Sequence, residues 1–283
     1  MALYINSNVA SLNAQRNLQG TQLALGKNLQ HLSSGLRITS AADDAAGLGI
    51  SELLKAQIRS SSQAERNTND GLSALQVADG ALASVGGLLQ RMRELTVQSA
   101  NGVLDTTSRT YLNNEFIQLK SEIDRIGNVT SFNNVKLTDG SLSAVANALQ
   151  LQVGLYNSVG GNDQISINLN DSRSAAIGVG ATVIDTKANA QAAIAVVDAA
   201  ISAISSTRAT IGANENRLEV TVANLSTARE NLSAANSRIR DVDVASETAE
   251  MTRNQILNQA GSAVLSQANQ LPSAALTLLQ GSR

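Results

Sequence analysis

Cysteine and tryptophan are absent from the 283 residues, and proline and histidine occur once each. Without cysteine there is no disulfide framework, thiolate zinc site or cysteine nucleophile, and a lone histidine cannot build a His-based metal cluster within one chain. The missing cysteine also suits a protein that works outside the cell and must not cross-link. Aromatic residues make up only 2% of the chain, three Tyr and two Phe. Leu, Ile, Val and Ala must therefore fill the core that large rings usually dominate, and those residues suit helix-on-helix packing. A single proline argues against a fold of many tight turns. The 21 basic residues nearly balance the 23 acidic ones, for a net charge of −2. That balance speaks against a nucleic-acid binder or a polybasic membrane protein. No run of about 18 consecutive apolar residues occurs, so membrane insertion is not expected. The first residues, MALYINSNVASLNAQRNLQG, have no basic start followed by a continuous apolar stretch, so no cleaved secretory signal is expected.

The dominant signal is a seven-residue repeat. Ile204, Ile211, Leu218, Leu225, Leu232 and Ile239 follow one another at that spacing, with Ile201 and Val222 adding a second seam position. Such a register keeps one stripe facing a partner helix and predicts a long coiled-coil helix. At 1.5 Å per residue it would be about 55 Å long. An upstream partner carries Leu75, Ala78, Leu82, Val85, Leu89 and Met92 at steps of three and four. A further helical segment surrounds Leu112, Phe116, Leu119, Ile123 and Ile126. An earlier one starts near Ala45, where Asp43 or Asp44 can cap the free N–H groups.

The period changes in the middle. Leu149, Leu151 and Val153 alternate with polar neighbours, as do Ile165, Ile167 and Leu169. The Gly- and Asn-rich loop between them predicts a β-hairpin, followed by an irregular stretch to about Lys187. The chain ends return to helical spacing. Leu25, Leu29, Leu32 and Leu36 form one narrow stripe. Leu257, Gly261, Val264, Ala268, Leu271, Ala275 and Leu278 form another, which Pro272 should kink or end. Neither stripe can support a helix alone, so the two ends must pair with each other, with other copies, or both. Asp241, Asp243, Glu247 and Glu250 suit the N-terminal end of the last helix.

No residue set supports catalysis. Gly20 to Lys27 has five residues between its glycines where a phosphate-binding loop has four, and Asn28 where Ser or Thr would hold magnesium. His31 reads as a helix-surface or packing residue, and adjacent Asp43 and Asp44 do not face each other on a helix. No cofactor is expected. Asn128, Asn170, Asn224 and Asn231 fit the N-glycosylation pattern by chance.

Several stretches resemble bacterial flagellins: INSN at 5–8, SLNAQRNL at 11–18, LSSGLRITSAADDAAGLGIS at 32–51, LQRMRELTVQSAN at 89–101, EIDRI at 122–126 and FNNVKLTDG at 132–140. The longest, NLSAANSRIRDVDVASETAEMTRNQILNQAGSAVLSQANQLPSAALTLLQ, spans 231–280. The resemblance implies a mainly α fold of long antiparallel coiled-coil helices with a small β-hairpin, in a short form without inserted outer domains. It implies an inner-core domain of paired terminal helices, 1–44 and 245–283, and an outer-core domain, 45–244. Polymerisation would then use Leu25, Leu29, Leu32, Leu36, Leu257, Val264, Leu271 and Leu278. Outer-core packing would use Leu82, Val85, Leu89, Ile211, Leu218, Leu225 and Leu232.

The implied function is mechanical: a subunit that polymerises into the extracellular flagellar filament for motility. Implied partners are further flagellin subunits, the type III export apparatus with an export chaperone, and the filament cap and hook–filament junction proteins. A vertebrate flagellin-sensing Toll-like receptor is another, with Arg91, Leu95 and Glu115 at the positions matching its contacts. The alternative is a hook–filament junction protein or another secreted coiled-coil structural protein.

Overall fold

The computed structural model describes residues 7–144, 147–156 and 163–280, with side chains up to residue 270. Five helices and two hairpins follow one another: α1 (Val9–Ser34), α2 (Ala45–Ser99), α3 (Thr106–Val129), β1 (Ser131–Phe132), β2 (Val135–Lys136), β3 (Leu149–Gln152), β4 (Gln164–Ile167), α4 (Lys187–Arg240) and α5 (Val244–Gln280).

Each helix starts on a short polar side chain that accepts from a free backbone N–H. Asn8 accepts from Ser11 ahead of α1 at 3.0 Å, and Asp44 from Gly47 ahead of α2 at 2.8 Å. Asp105 accepts from Ser108 ahead of α3 at 2.9 Å, and Thr186 from Asn189 ahead of α4 at 3.2 Å. Asp243 accepts from Ala245 ahead of α5 at 3.0 Å. Of the two aspartates proposed as caps for α2, Asp44 is the one that caps. Asp43 instead accepts from the backbone and hydroxyls of Thr39 and Ser40 and pairs with Lys27. Helix α1 ends at Gly35, whose φ of 71° is left-handed and suits glycine. Helix α5 runs through Pro272 to Gln280, so that proline does not end it. Helix α2 is continuous, where the sequence suggested separate segments.

Two compact units are formed. One comprises the chain up to Ala56 together with the chain from Asn231; the other is Gln57–Glu230. Both boundaries fall inside long helices, α2 and α4.

In the second unit, α2 and α4 run antiparallel. Three ion pairs fix their register: Arg93 with Asp198, Arg208 with Asp79 and Arg229 with Glu65. Beneath them lies one apolar cluster containing Leu75, Leu82, Val85, Leu89, Met92 and Leu95 of α2, Phe116 and Ile123 of α3, and Val197, Ile204, Ile211 and Leu218 of α4. The ion pairs place Leu218 between the levels of Asp79 and Glu65, ahead of Leu82 on α2, while Leu82 lies beside Ile204. The heptad of α4 therefore meets α2 further from Leu82, Val85 and Leu89 than their shared spacing suggested. Leu225 is buried and Leu232 half-buried. On length and apolarity alone, one window in α2 and one in α4, each of mean hydropathy 1.4, would pass for membrane spans. Both helices place apolar stripes in the cluster just described.

The β3–β4 hairpin pairs Leu149 with Ile167 and Leu151 with Ile165, in the alternation the sequence shows. It sits close on α2 at Gly71, where a Cβ would come within 2.1 Å of Leu151 Cδ1. The smaller β1–β2 hairpin turns on Asn133 and Asn134, with φ of 46° and 65°. Asparagine tolerates that left-handed pair.

Candidate functional site: the terminal helices

Helices α1 and α5 lie antiparallel. Asn8 donates to the carbonyl of Ala268 at 2.8 Å, Ser11 Oγ donates to Asn269 at 2.8 Å, and at the other end Asn254 donates to Asn28 at 2.8 Å. The seam follows helical spacing on both sides: Ser11, Ala14, Leu18, Thr21, Leu25, Asn28 and Leu32 on α1, and Glu247, Met251, Asn254, Asn258, Gly261, Leu265 and Ala268 on α5. Small residues bring the helices close; a Cβ on Gly261 would lie 3.2 Å from Leu18 Cδ1. Near its closed end the pair is joined by a bridge between Leu36 and Asp241. There Arg37 N–H donates to Arg240 O at 2.7 Å and Val242 N–H to Gly35 O at 3.1 Å.

This seam departs from the stripe read off the apolar residues. Gly261 and Ala268 are in it, but Leu257 and Val264 face away, 46% and 58% exposed. On α1, Leu25 and Leu32 are half-buried while Leu29 is exposed, and Leu36, just past the helix, is half-buried. The physical reason is that each helix carries two stripes. A stripe that mixes polar and small residues with Leu18, Leu25, Leu32, Met251 and Leu265 closes the hairpin, and further large apolar residues are left outward. The outward set comprises Val9, Leu12, Leu23 and Leu29 on α1 and Ile256, Leu257 and Val264 on α5, with Leu23 as much as 70% exposed. Isolated exposed leucines are ordinary; here these seven, with Val244 at the start of α5 as an eighth, fall on one helical pair. The side chains of Leu271 and Leu278 lie outside the described residues.

Arg91, Leu95 and Glu115 form the other candidate set. Arg91 Nε donates to Glu115 Oε1 at 2.9 Å, and the same guanidinium pairs with Glu94 at 2.8 Å. Both carboxylates raise the Arg91 pKa from its ordinary value, Glu94 first. Leu95 is completely buried beside Met92. The Arg91 and Glu115 side chains reach the surface, and the Leu95 side chain does not. That position follows the spacing of the α2 core stripe and packs inward with it.

The family model for the bacterial flagellin N-terminal helical region matches residues 5–143, and that for the C-terminal helical region matches 194–279. The chain belongs to the flagellin family. It is 48% identical to a flagellin of Halalkalibacterium halodurans over 281 residues, covering 98% of this chain and 100% of that one. It is 41% identical to the flagellar filament 33 kDa core protein of Treponema phagedenis, covering 98% and 100%. Among solved structures, the crystal structure of Bacillus cereus flagellin is 34% identical, with a TM-score of 0.49 over 60% of this chain and 94% of that one. Relatives of this length and naming make the chain a short flagellin, a structural subunit of the flagellar filament, rather than a junction protein. The match to the N-terminal helical region spans α1, α2, α3 and the β1–β2 hairpin, and the match to the C-terminal region spans most of α4 and nearly all of α5.

Proposed function

We propose that this flagellin polymerises through the outward apolar stripe of α1 and α5. The observation that carries this is the exposure of Leu23, Leu29, Ile256, Leu257 and Val264 on a helical pair whose own seam mixes polar, small and apolar residues. Neighbouring copies would cover the stripe and recover the burial that a lone hairpin forgoes. On this reading residues 1–44 and 245–283 line the inner core of the filament and 45–244 its outer core. The filament lies outside the cell, and the subunit carries no enzymatic activity.

Export completes the reading. A chain without cysteine cannot be cross-linked, so it can thread a type III channel unfolded and add at the filament tip beneath a cap, beyond the hook–filament junction proteins. Before export an exposed stripe of this kind would self-associate, so a soluble chaperone covering α5 is the matching partner. The pair of Arg91 and Glu115 is the surface a Toll-like receptor could reach on the soluble subunit. Equal receptor responses to the parent and to Arg91→Ala would reject that contact.

The test of the polymerisation surface is Val264→Asp. In the isolated chain this position is exposed, so the substitution leaves the melting of the long-helix unit unchanged. In a filament it buries an unpaired carboxylate, at a cost of several kcal/mol. Sedimentation should show loss of polymer with no loss of fold. Normal filaments from Val264→Asp would remove the stripe from the assembly surface.

A further inference from the structure

A polar cluster interrupts the α1–α5 seam at its closed end. Glu247 Oε1 accepts from Asn28 Nδ2 at 2.7 Å and from His31 Nδ1 at 3.1 Å, and Asn28 Oδ1 accepts from Asn254 Nδ2 at 2.8 Å. Asn28 and His31 are buried. Their positions follow from the helix ends. His31 is in the last turn of α1 and Glu247 in the first turn of α5. Antiparallel packing sets a negative helix end beside a positive one, and each residue suits the dipole of its own helix. The remaining seam, Ala14, Leu18, Thr21 and Leu25 against Asn258, Gly261, Leu265 and Ala268, consists largely of small or plain apolar residues. Apart from the Asn8–Ala268 and Ser11–Asn269 bonds at its far end, it offers little penalty against sliding by one heptad.

We propose that Asn28, His31, Glu247 and Asn254 act as a register clasp, selecting one alignment of α1 on α5 among heptad-related alternatives. The inference deepens the assembly reading and rests on it, because a slipped hairpin would present the outward stripe out of step with its neighbours. The physical basis is that a buried polar group is tolerated only where its partner waits. A single buried asparagine at a seam position is the best-attested register device in paired helices. Slipping α5 by seven residues carries Glu247 away from His31 and parts Asn28 from Asn254; one direction sets Ala268 beside Leu18, and the other sets Asn254 there without its partner. The Leu36–Asp241 bridge joins the helices at one end; the clasp is the neighbouring element with side-chain specificity.

The cysteine-free chain gives a clean background for disulfide mapping. Ser11→Cys with Asn269→Cys reports the observed register, since those side chains touch. Ser11→Cys with Ser262→Cys reports a slip of one heptad. Each pair is placed in the full-length parent and in the Asn28→Leu/Asn254→Ala variant, and oxidised as sedimented polymer, or as isolated chain where no polymer forms. The parent should form only the first cross-link. The variant should raise the ratio of slipped to observed cross-link at least about tenfold. Should that variant give neither cross-link, Glu247→Leu is read in the same way, with the same rise expected. A parent that forms both cross-links or neither overturns the clasp. So does a variant that keeps the parent's single cross-link, or loss of all cross-linking in both variants. A parent that holds the single register but never sediments as polymer rejects the assembly reading and leaves the clasp standing.

Discussion

The two units bury very different residues. Among the described side chains, the unit built from the chain ends buries only Ile38 and Ala268 as apolar core, alongside Ser11, Asn28, His31 and Ser51. The long-helix unit, Gln57–Glu230, buries one continuous apolar cluster from Leu75 to Leu218. Fixing a residue costs about 1–2 kcal/mol of backbone entropy. The second unit has an apolar interior to offset that cost. The first has mostly hydrogen bonds, each contributing about 0.5–1.5 kcal/mol net, and a set of large apolar side chains turned outward. Within one flagellin chain, then, one part has the interior of a folded body, and the other turns outward the apolar side chains that copies of the chain would cover on the proposed assembly.

The sharpest way to break this contrast is to damage the interior of the second unit. Leu218 is fully buried, and Leu218→Ala should cost about 2–5 kcal/mol. That should appear as a lower denaturation midpoint of the full chain. An unchanged midpoint would mean the α4 stripe carries little of the fold.

The Asp43 loop tests the terminal unit at a polar contact. Hydrogen bonds, first from Lys27 and then from Thr39 and Ser40, hold the Asp43 carboxyl well below the usual carboxylate range. A depressed carboxylate contributes its stability above the ordinary carboxylate pKa, and that contribution is lost as pH falls through the folded value. Asp43→Asn should therefore loosen the segment 35–44 at neutral pH and flatten its response to acid. Amide exchange of residues 39–47 followed from pH 5 down to pH 2 checks it, and an unaltered acid response would discard the assignment.

Surface charges on the long helices should matter least. Arg208 and Asp79 are a partly exposed pair, and such pairs are worth about 0.2–1 kcal/mol. Arg208→Ala should shift the midpoint only slightly. Burial, with Asp79 and Glu219 nearby, raises the Glu215 carboxyl. A raised acid destabilises the fold as pH climbs past its unfolded value. Glu215→Gln should thus be neutral to slightly stabilising at pH 7 and without effect near pH 3. A clear loss of stability at pH 7 would show that Glu215 is paired.

The two units also differ in how far their sequence could be read. The α4 heptad and the α2 stripe announced the core of the long-helix unit, because apolar burial there coincides with apolar spacing. The β3–β4 hairpin was legible in the alternation of Leu149, Leu151, Ile165 and Ile167. The terminal seam was not, because its positions include buried Ser11, Asn28 and His31 and half-buried Asn254, which no hydrophobic pattern marks. The apolar spacing of Leu257 and Val264 leaves open whether they meet α1 or other copies, and in the chain they are outward. The motif around Leu95 suggests a surface contact, while its step of three from Met92 places it inside. The only sequence sign of the β1–β2 turn was the dipeptide Asn133-Asn134. The pairing of His31 with Glu247 could have been suspected only by aligning the C-terminal end of α1 with the N-terminal end of α5.

The central claim is that the long-helix unit folds by its own core while the terminal helices fold on assembly. Hydrogen exchange of the full-length chain, measured as monomer and as polymer, tests it most directly. Amides of 75–95 and 197–218 should be strongly protected in both states. Amides of 9–34 and 244–270 should exchange rapidly in the monomer and become protected in the polymer. Terminal helices as protected in the monomer as the long-helix core would contradict the account.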